Sequence, residues 1–189
     1  MAFIFTDLLN RAPANISTNV ADARNWIQDN VKQVRNRQLF AKGGSDRMQS
    51  KIALGNMYMF LYDPKTKEKL PYYDRFPLIF PIESAPGGFL GLNLHYISPI
   101  ARAKLMDALW DYTTGSDDNR RMIATYKVLK ASSRLRYYKP CVKRYLNNHV
   151  QSSFVKINPD EWNIAMFLPT ERFSKASKNT VYADSNRKF

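Results

Sequence analysis

Residues 57–96 read MYMFLYDPKTKEKLPYYDRFPLIFPIESAPGGFLGLNLHY, and the fold class turns on this stretch. Met57, Met59 and Leu61 alternate with Tyr58, Phe60 and Tyr62. A strand here has two apolar faces, so it is covered on both sides or turns one side to a partner. Asp63-Pro64-Lys65-Thr66 is a turn sequence, and Leu70 to Tyr73 suits the returning strand. Pro77 and Pro81 bracket Leu78-Ile79-Phe80, which predicts an edge strand, because proline has no N–H to give a ladder. Pro86-Gly87-Gly88 makes a tight turn, and Phe89 to Tyr96 alternates well enough to be the last strand. Short strands broken by frequent turns predict a small curved antiparallel β-sheet or SH3-like barrel over residues 51–97. Phe76 and Phe80 are expected to fill it. Tyr72 and Tyr73 are neighbours, so in a strand they point to opposite faces, and one of them is expected at the surface or an interface.

On either side the period changes. Before the sheet, residues 1–50 hold an apolar segment, FIFTDLL at 3–9, and a helical stripe of Val20, Ala23, Ile27, Val31 and Val34. Ser17 or Thr18 is the candidate cap of that helix, which is expected over about 19–38. After the sheet, residues 98–169 read as a helical region. Ser98-Pro99 opens one helix, with Ile100, Ala103, Leu105, Leu109 and Tyr112 on its apolar side. Asp117 caps a second helix to about Ser132, with Met122, Ile123, Tyr126 and Leu129 inward. A third is expected within 141–150, and Asn158-Pro159 starts a short one. The polar, basic residues 170–189 are expected as an extended tail that a partner orders. The fold class is α+β: an N-terminal helix, a small sheet or barrel, a helical C-terminal part and a tail.

The chain has 189 residues and a formal net charge of +13, which is unevenly spread. Residues 1–119 carry 14 Lys and Arg against 12 Asp and Glu, whereas residues 120–189 carry 15 against 4. From Arg120 to Arg144 the text is RRMIATYKVLKASSRLRYYKPCVKR, with nine cations and no acid. A solvated helix face usually mixes signs, so this run points to a polyanion: nucleic acid or an acidic protein surface. The candidate contacts are Arg120, Arg121, Lys127, Lys130, Arg134, Arg136, Lys139, Lys143 and Arg144, with Tyr126, Tyr137 and Tyr138 interleaved for ring stacking. No recognition-helix or RNP-like motif accompanies them, which argues against sequence-specific reading. The apolar N-terminal residues Phe3, Ile4 and Phe5, the pair Tyr72 and Tyr73, and the terminal Arg187, Lys188 and Phe189 are the candidate protein contacts.

Little here suggests bond making. One cysteine, Cys141, rules out an intrachain disulfide; Lys139, Lys143 and Arg144 nearby could lower its pKa, but a lone buried thiol is the commoner case. His95, in a strand beside Tyr96, reads as structural, His149 after Asn147-Asn148 reads as a helix end, and the dinucleotide and P-loop glycine motifs are absent. Asp63, Asp74, Asp160 and Glu161 match no nuclease pattern. No catalytic residue, metal or cofactor is expected, and the chain reads as a non-enzyme. No run reaches the ~18 apolar residues of a membrane span, and MAFIFTDLLNRA, with no basic leader, reads as mature protein.

The stretch MYMFLYDPKTKEKLPYYDRFPLIFPIE (57–83), then GGFLGLNLHYISP (87–99) and FLPTERF with ADSNRKF at the C-terminus, resembles small virion-associated proteins of large contractile-tailed bacteriophages of the myovirus type. No activity is assigned to that family. The resemblance covers most of the chain and implies a structural component of the virion, in a tail or baseplate position rather than the neck, assembled in the host cytoplasm against other phage structural proteins. The alternative, carried by residues 120–144, is a nucleic-acid-binding accessory protein that handles phage DNA.

Overall fold

A computed structural model describes residues 48–113, 118–135, 138–162, 165 and 170–187. The expected N-terminal helix, the apolar Phe3, Ile4 and Phe5, the expected cap Asp117, Arg136, Tyr137, Lys188 and Phe189 lie outside the described residues. The chain is α+β, with a six-stranded antiparallel sheet in the order β1-β7-β2-β4-β5-β6. The strands are β1 (Met48–Gln49), β2 (Met57–Met59), β4 (Leu78–Ala85), β5 (Gly88–Asn93), β6 (Val142–Leu146) and β7 (Phe154–Ile157). A second sheet pairs β3 (Tyr73–Asp74) with β8 (Phe173–Ser174). Three α-helices are described: α1 (Pro99–Thr113), α2 (Asp118–Ser132) and α3 (Lys178–Arg187). Edge strands β1 and β6 share no ladder among the described residues, so the SH3-like closure expected from sequence is not seen.

The two-faced pattern of β2 is explained by a core on each side of the sheet. On one side Met57, Met59, Leu78, Phe80 and Leu92 pack with α1 and α2 through Ala103, Met106, Leu109 and Leu129. Trp162 closes this core; its ring meets Phe80 edge-on at 5.2 Å, and its Nε1 donates to Ile157 O at 3.3 Å. On the other side Tyr58, Phe60, Tyr62, Phe89, Tyr145 and Phe154 form an aromatic cluster that includes no residue of the described helices. The sheet curls until the rings meet one another: Phe60 lies 5.0 Å from Phe154 and 5.4 Å from Tyr145, edge to face. Such pairs contribute about 0.5–1.5 kcal/mol each beyond the area they bury.

Several expectations change here. Leu78–Phe80 is not an edge: β4 runs to Ala85 between β2 and β5. Pro81 is tolerated because β2 pairs only with Leu78 and Ile79, so the missing N–H falls past that ladder, and a bulge follows between Pro81 and Glu83. The β4–β5 hairpin turns at Gly87, with φ +70, as its glycines indicate. At Gly88 a Cβ would sit 1.9 Å from Tyr145 O, so only glycine lets β6 lie this close. β5 is not the last strand, since residues 142–146, expected in a helix, form β6. In α1 Ile100 is exposed, while Arg102 turns inward and donates to Ile97 O at 3.1 Å and Tyr182 Oη at 3.3 Å. In α2 Thr125 and Leu129 set the buried side, and Ile123, about 200° round from Thr125, faces water.

The C-terminal residues are also not an extended tail. Asp74 pairs with Phe173 and Tyr73 with Ser174, Arg75 N donates to Arg172 O at 2.9 Å, and α3 buries Val181 in the main core. Lys175, at φ 71, donates to the carbonyls of Lys67, Glu68 and Leu70 at 2.7, 3.0 and 3.3 Å, which ties the β2–β3 loop to β8. Val181 is the buried apolar anchor of an otherwise polar helix, so composition conceals its docking. Ending the chain at residue 169 is therefore expected to lower the melting temperature by more than about 10 °C, read by thermal circular dichroism. An unchanged melt would mean that β8 and α3 contribute little.

Candidate nucleic-acid interface

The acid-free run occupies α2, a turn and the edge strand β6. Arg120 and Lys127 are exposed and seven residues apart in sequence, so they stand on one side of α2, two turns or about 10 Å apart. Arg134, seven residues further on, is exposed just past the helix end, and Lys139 is exposed in the 3-10 turn Lys139–Cys141. Thr125 and Leu129 bury the opposite side, so the core itself fixes which way this cationic side points.

Lys130, Lys143 and Arg144 make contacts within the chain. Lys130 Nζ bonds the Glu83 carboxylate and holds its pKa below the ordinary value through that hydrogen bond and its charge. Lys143 Nζ lies 4.2 Å over the centroid of the Tyr96 ring. Arg144, exposed on β6, donates to Pro86 O at 2.8 Å with its fork at the β4–β5 turn. Arg121 belongs to α2. Cations on an edge strand also deter another chain from adding to it. Arg120, Lys127, Arg134, Lys139 and Arg144 are thus the exposed contacts. Tyr138 donates its hydroxyl to Ala101 O at 2.9 Å, which commits it to the fold rather than to base stacking.

Tyr72 is buried, and its pKa is pushed up to about 12 by burial and by Asp184 of α3. Its hydroxyl meets Asp184 of the C-terminal helix, and its ring lies 6.0 Å from that of Tyr96. Tyr73 is half-buried in β3, and Arg187 is exposed at the end of α3. Cys141 is the lone buried thiol that the sequence favoured over an activated one. Burial raises its pKa to about 11, against the opposing Lys143 charge and the Ser185 hydrogen bond.

Sequence reasoning missed a buried polar cluster. The Asp74 carboxylate is buried at the end of β3. Its Oδ1 accepts from Phe76 N at 3.0 Å and Arg172 N at 3.2 Å. Its Oδ2 lies 2.6 Å from His95 Nδ1 and accepts from Asn93 Nδ2 at 3.2 Å. His95 Nε2 is 3.0 Å from Thr170 Oγ1, and Asn93 also donates to Tyr145 Oη at 3.0 Å. Burial pushes the Asp74 carboxyl up, but the His95 charge and the hydrogen bonds from His95, Phe76 and Asn93 outweigh it and hold the pKa below the ordinary value. The Asp–His–hydroxyl order resembles a hydrolase relay, yet His95 has no exposed surface. The cluster joins β3, the end of β5 and the start of the C-terminal segment. His149 Nδ1 lies 2.8 Å from Asp63 O, a backbone carbonyl. Among the described residues no three His, Cys, Asp or Glu gather to hold a metal, and no helix is long and apolar enough to cross a membrane.

A cationic side whose orientation is set by the core, with no acid within the run, is the candidate polyanion-binding surface. The family model described as phage T4 terminal DNA protecting protein matches residues 6–187, and the chain belongs to that family. This makes it a protein of the myovirus-type phages. It also overturns the reading as a tail or baseplate assembly subunit: the family is defined by protection of DNA termini, which fits the nucleic-acid alternative. No characterised protein and no solved structure matches the chain.

Proposed function

We propose that this protein binds the ends of its phage's linear DNA and shields them through the cationic surface of α2 and β6. The carrying observation is the exposed set Arg120, Lys127, Arg134, Lys139 and Arg144 in a run without a carboxylate. Family membership supports DNA as the polyanion in preference to an acidic protein. The protein acts by contact and charge, with no bond made or broken, and travels in the particle on the DNA it covers.

Binding of this kind releases counterions, so affinity falls steeply with salt. For wild-type protein on linear duplex DNA, log K against log salt is expected to fall with a slope of about −4 or steeper, as five cation–phosphate contacts require. A mobility-shift series from low to physiological salt measures it. A flat salt response would remove the phosphate-binding reading.

A further inference from the structure

The geometry points to Ile123 and Tyr126 of α2 as the platform on which the terminal base pair of a duplex rests. This inference rests on the DNA reading above and adds how an end is told from the middle of a molecule. Phosphate contacts alone carry no such information, because every stretch of duplex presents the same backbone.

The helix places an apolar pair inside its cationic side. Ile123 is 52% exposed. Its neighbours on that side are Arg120, three residues before, Tyr126, three after, and Lys127, four after, with about 5–6 Å between Cβ atoms. Lys130 stands four residues beyond Tyr126. Arg120 and Lys127 are exposed, and Lys130 bonds Glu83, so the carboxylate that meets this side has its charge offset. Tyr126 lies about 60° round from Ile123 and about 60° from the buried Leu129 on the other hand. It is half-buried, and among the described residues it belongs to neither core cluster. A lone exposed isoleucine is ordinary. An isoleucine and a ring side by side, bordered by three cations, put an apolar surface where a polyanion comes close.

Duplex DNA has one place that fits such a surface. An internal base pair is covered on both faces by its neighbours, so a side chain reaches it only by prying a step apart, which costs the stacking of that step. A terminal pair leaves one flat face to water, and there the cost does not arise. Arg120 and Lys127 flank the platform and are placed to meet the phosphates of the last nucleotides while Ile123 and Tyr126 cover the pair. Stacking on a ring tolerates any base, which agrees with a run that carries no motif for reading sequence. The platform thus turns general phosphate binding into a preference for ends.

The test compares a blunt linear duplex with a relaxed, covalently closed circle of the same sequence, for wild type, Ile123→Ser, Tyr126→Ser and Tyr126→Phe. Wild type is expected to favour the linear form by about tenfold or more, the scale of one or two stacked bases. Ile123→Ser and Tyr126→Ser are each expected to lose most of that preference while keeping the affinity for closed circles and the salt slope. Tyr126→Phe retains the ring and is expected to keep the preference. Ile123 is exposed, so Ile123→Ser spares the core and decides the matter even where Tyr126→Ser lowers the melting temperature. Equal affinity of wild type for both DNAs, or a preference that survives Ile123→Ser, would overturn the platform and leave the cationic surface standing. Failure of wild type to bind either DNA at low salt would overturn the DNA reading and the platform with it.

Discussion

Replacing Lys127, Arg134 and Lys139 together by glutamate is expected to cut duplex DNA affinity about 100-fold or more at physiological salt, and to make the salt slope shallower by about 3. The magnitude follows from counterion release: each substitution takes away one phosphate-neutralising cation and adds a carboxylate that repels the backbone. All three side chains are exposed, so the substitutions leave the core alone. The melting temperature should therefore stay within a few degrees of wild type, since exposed substitutions cost within about 0.5 kcal/mol each. Lys130 and Lys143 are deliberately spared: one is paired with Glu83 and the other lies over Tyr96, so changing them would mix binding with folding. Affinity unchanged in the triple variant would show that the α2 surface does not meet DNA.

The second large effect concerns stability. Asp74→Ala removes the acceptor for His95, Asn93, Phe76 N and Arg172 N at once. Breaking a buried pair by deleting one partner costs about 3–5 kcal/mol, a large share of a typical domain's stability. Denaturant titration measures it as a lower midpoint. The sign of the pH dependence follows from the direction of the Asp74 shift. Its folded pKa lies below the unfolded one, so its contribution is full above the ordinary carboxylate value and fades as pH falls through the folded value. Wild type should lose stability across that acid range, and Asp74→Asn should show a shallower loss there. A wild-type midpoint retained in Asp74→Ala would mean that the cluster is not what joins β3 to the C-terminal segment.

The sequence made some of this legible and hid the rest for physical reasons. The two-faced run at 57–62, the turn at Gly87 and the start at Pro99 carry local signals, and β2, the β4–β5 hairpin, α1 and α2 appear where those signals place them. β6 was hidden because an edge strand wears cations: in VKRYL the exposed Arg144 and the half-buried Lys143 blur the period of two. Docking of α3 rests on Val181 and Ser185, too few buried positions to mark a stripe. The His95–Asp74 contact spans 21 residues and exists only because the 3-10 turn after β5 meets β3, a tertiary fact with no spacing rule. Composition disclosed the cationic run. Which of its members also hold contacts within the fold depended on where Glu83, Tyr96 and the Pro86 carbonyl lie.

Exonuclease digestion of a linear duplex tests the central claim most directly. With the protein in excess at moderate salt, the termini are expected to resist digestion, and the Lys127, Arg134 and Lys139 triple variant is expected to leave them open. Digestion that proceeds at the same rate with and without wild-type protein, under conditions where the DNA is bound, would contradict the account.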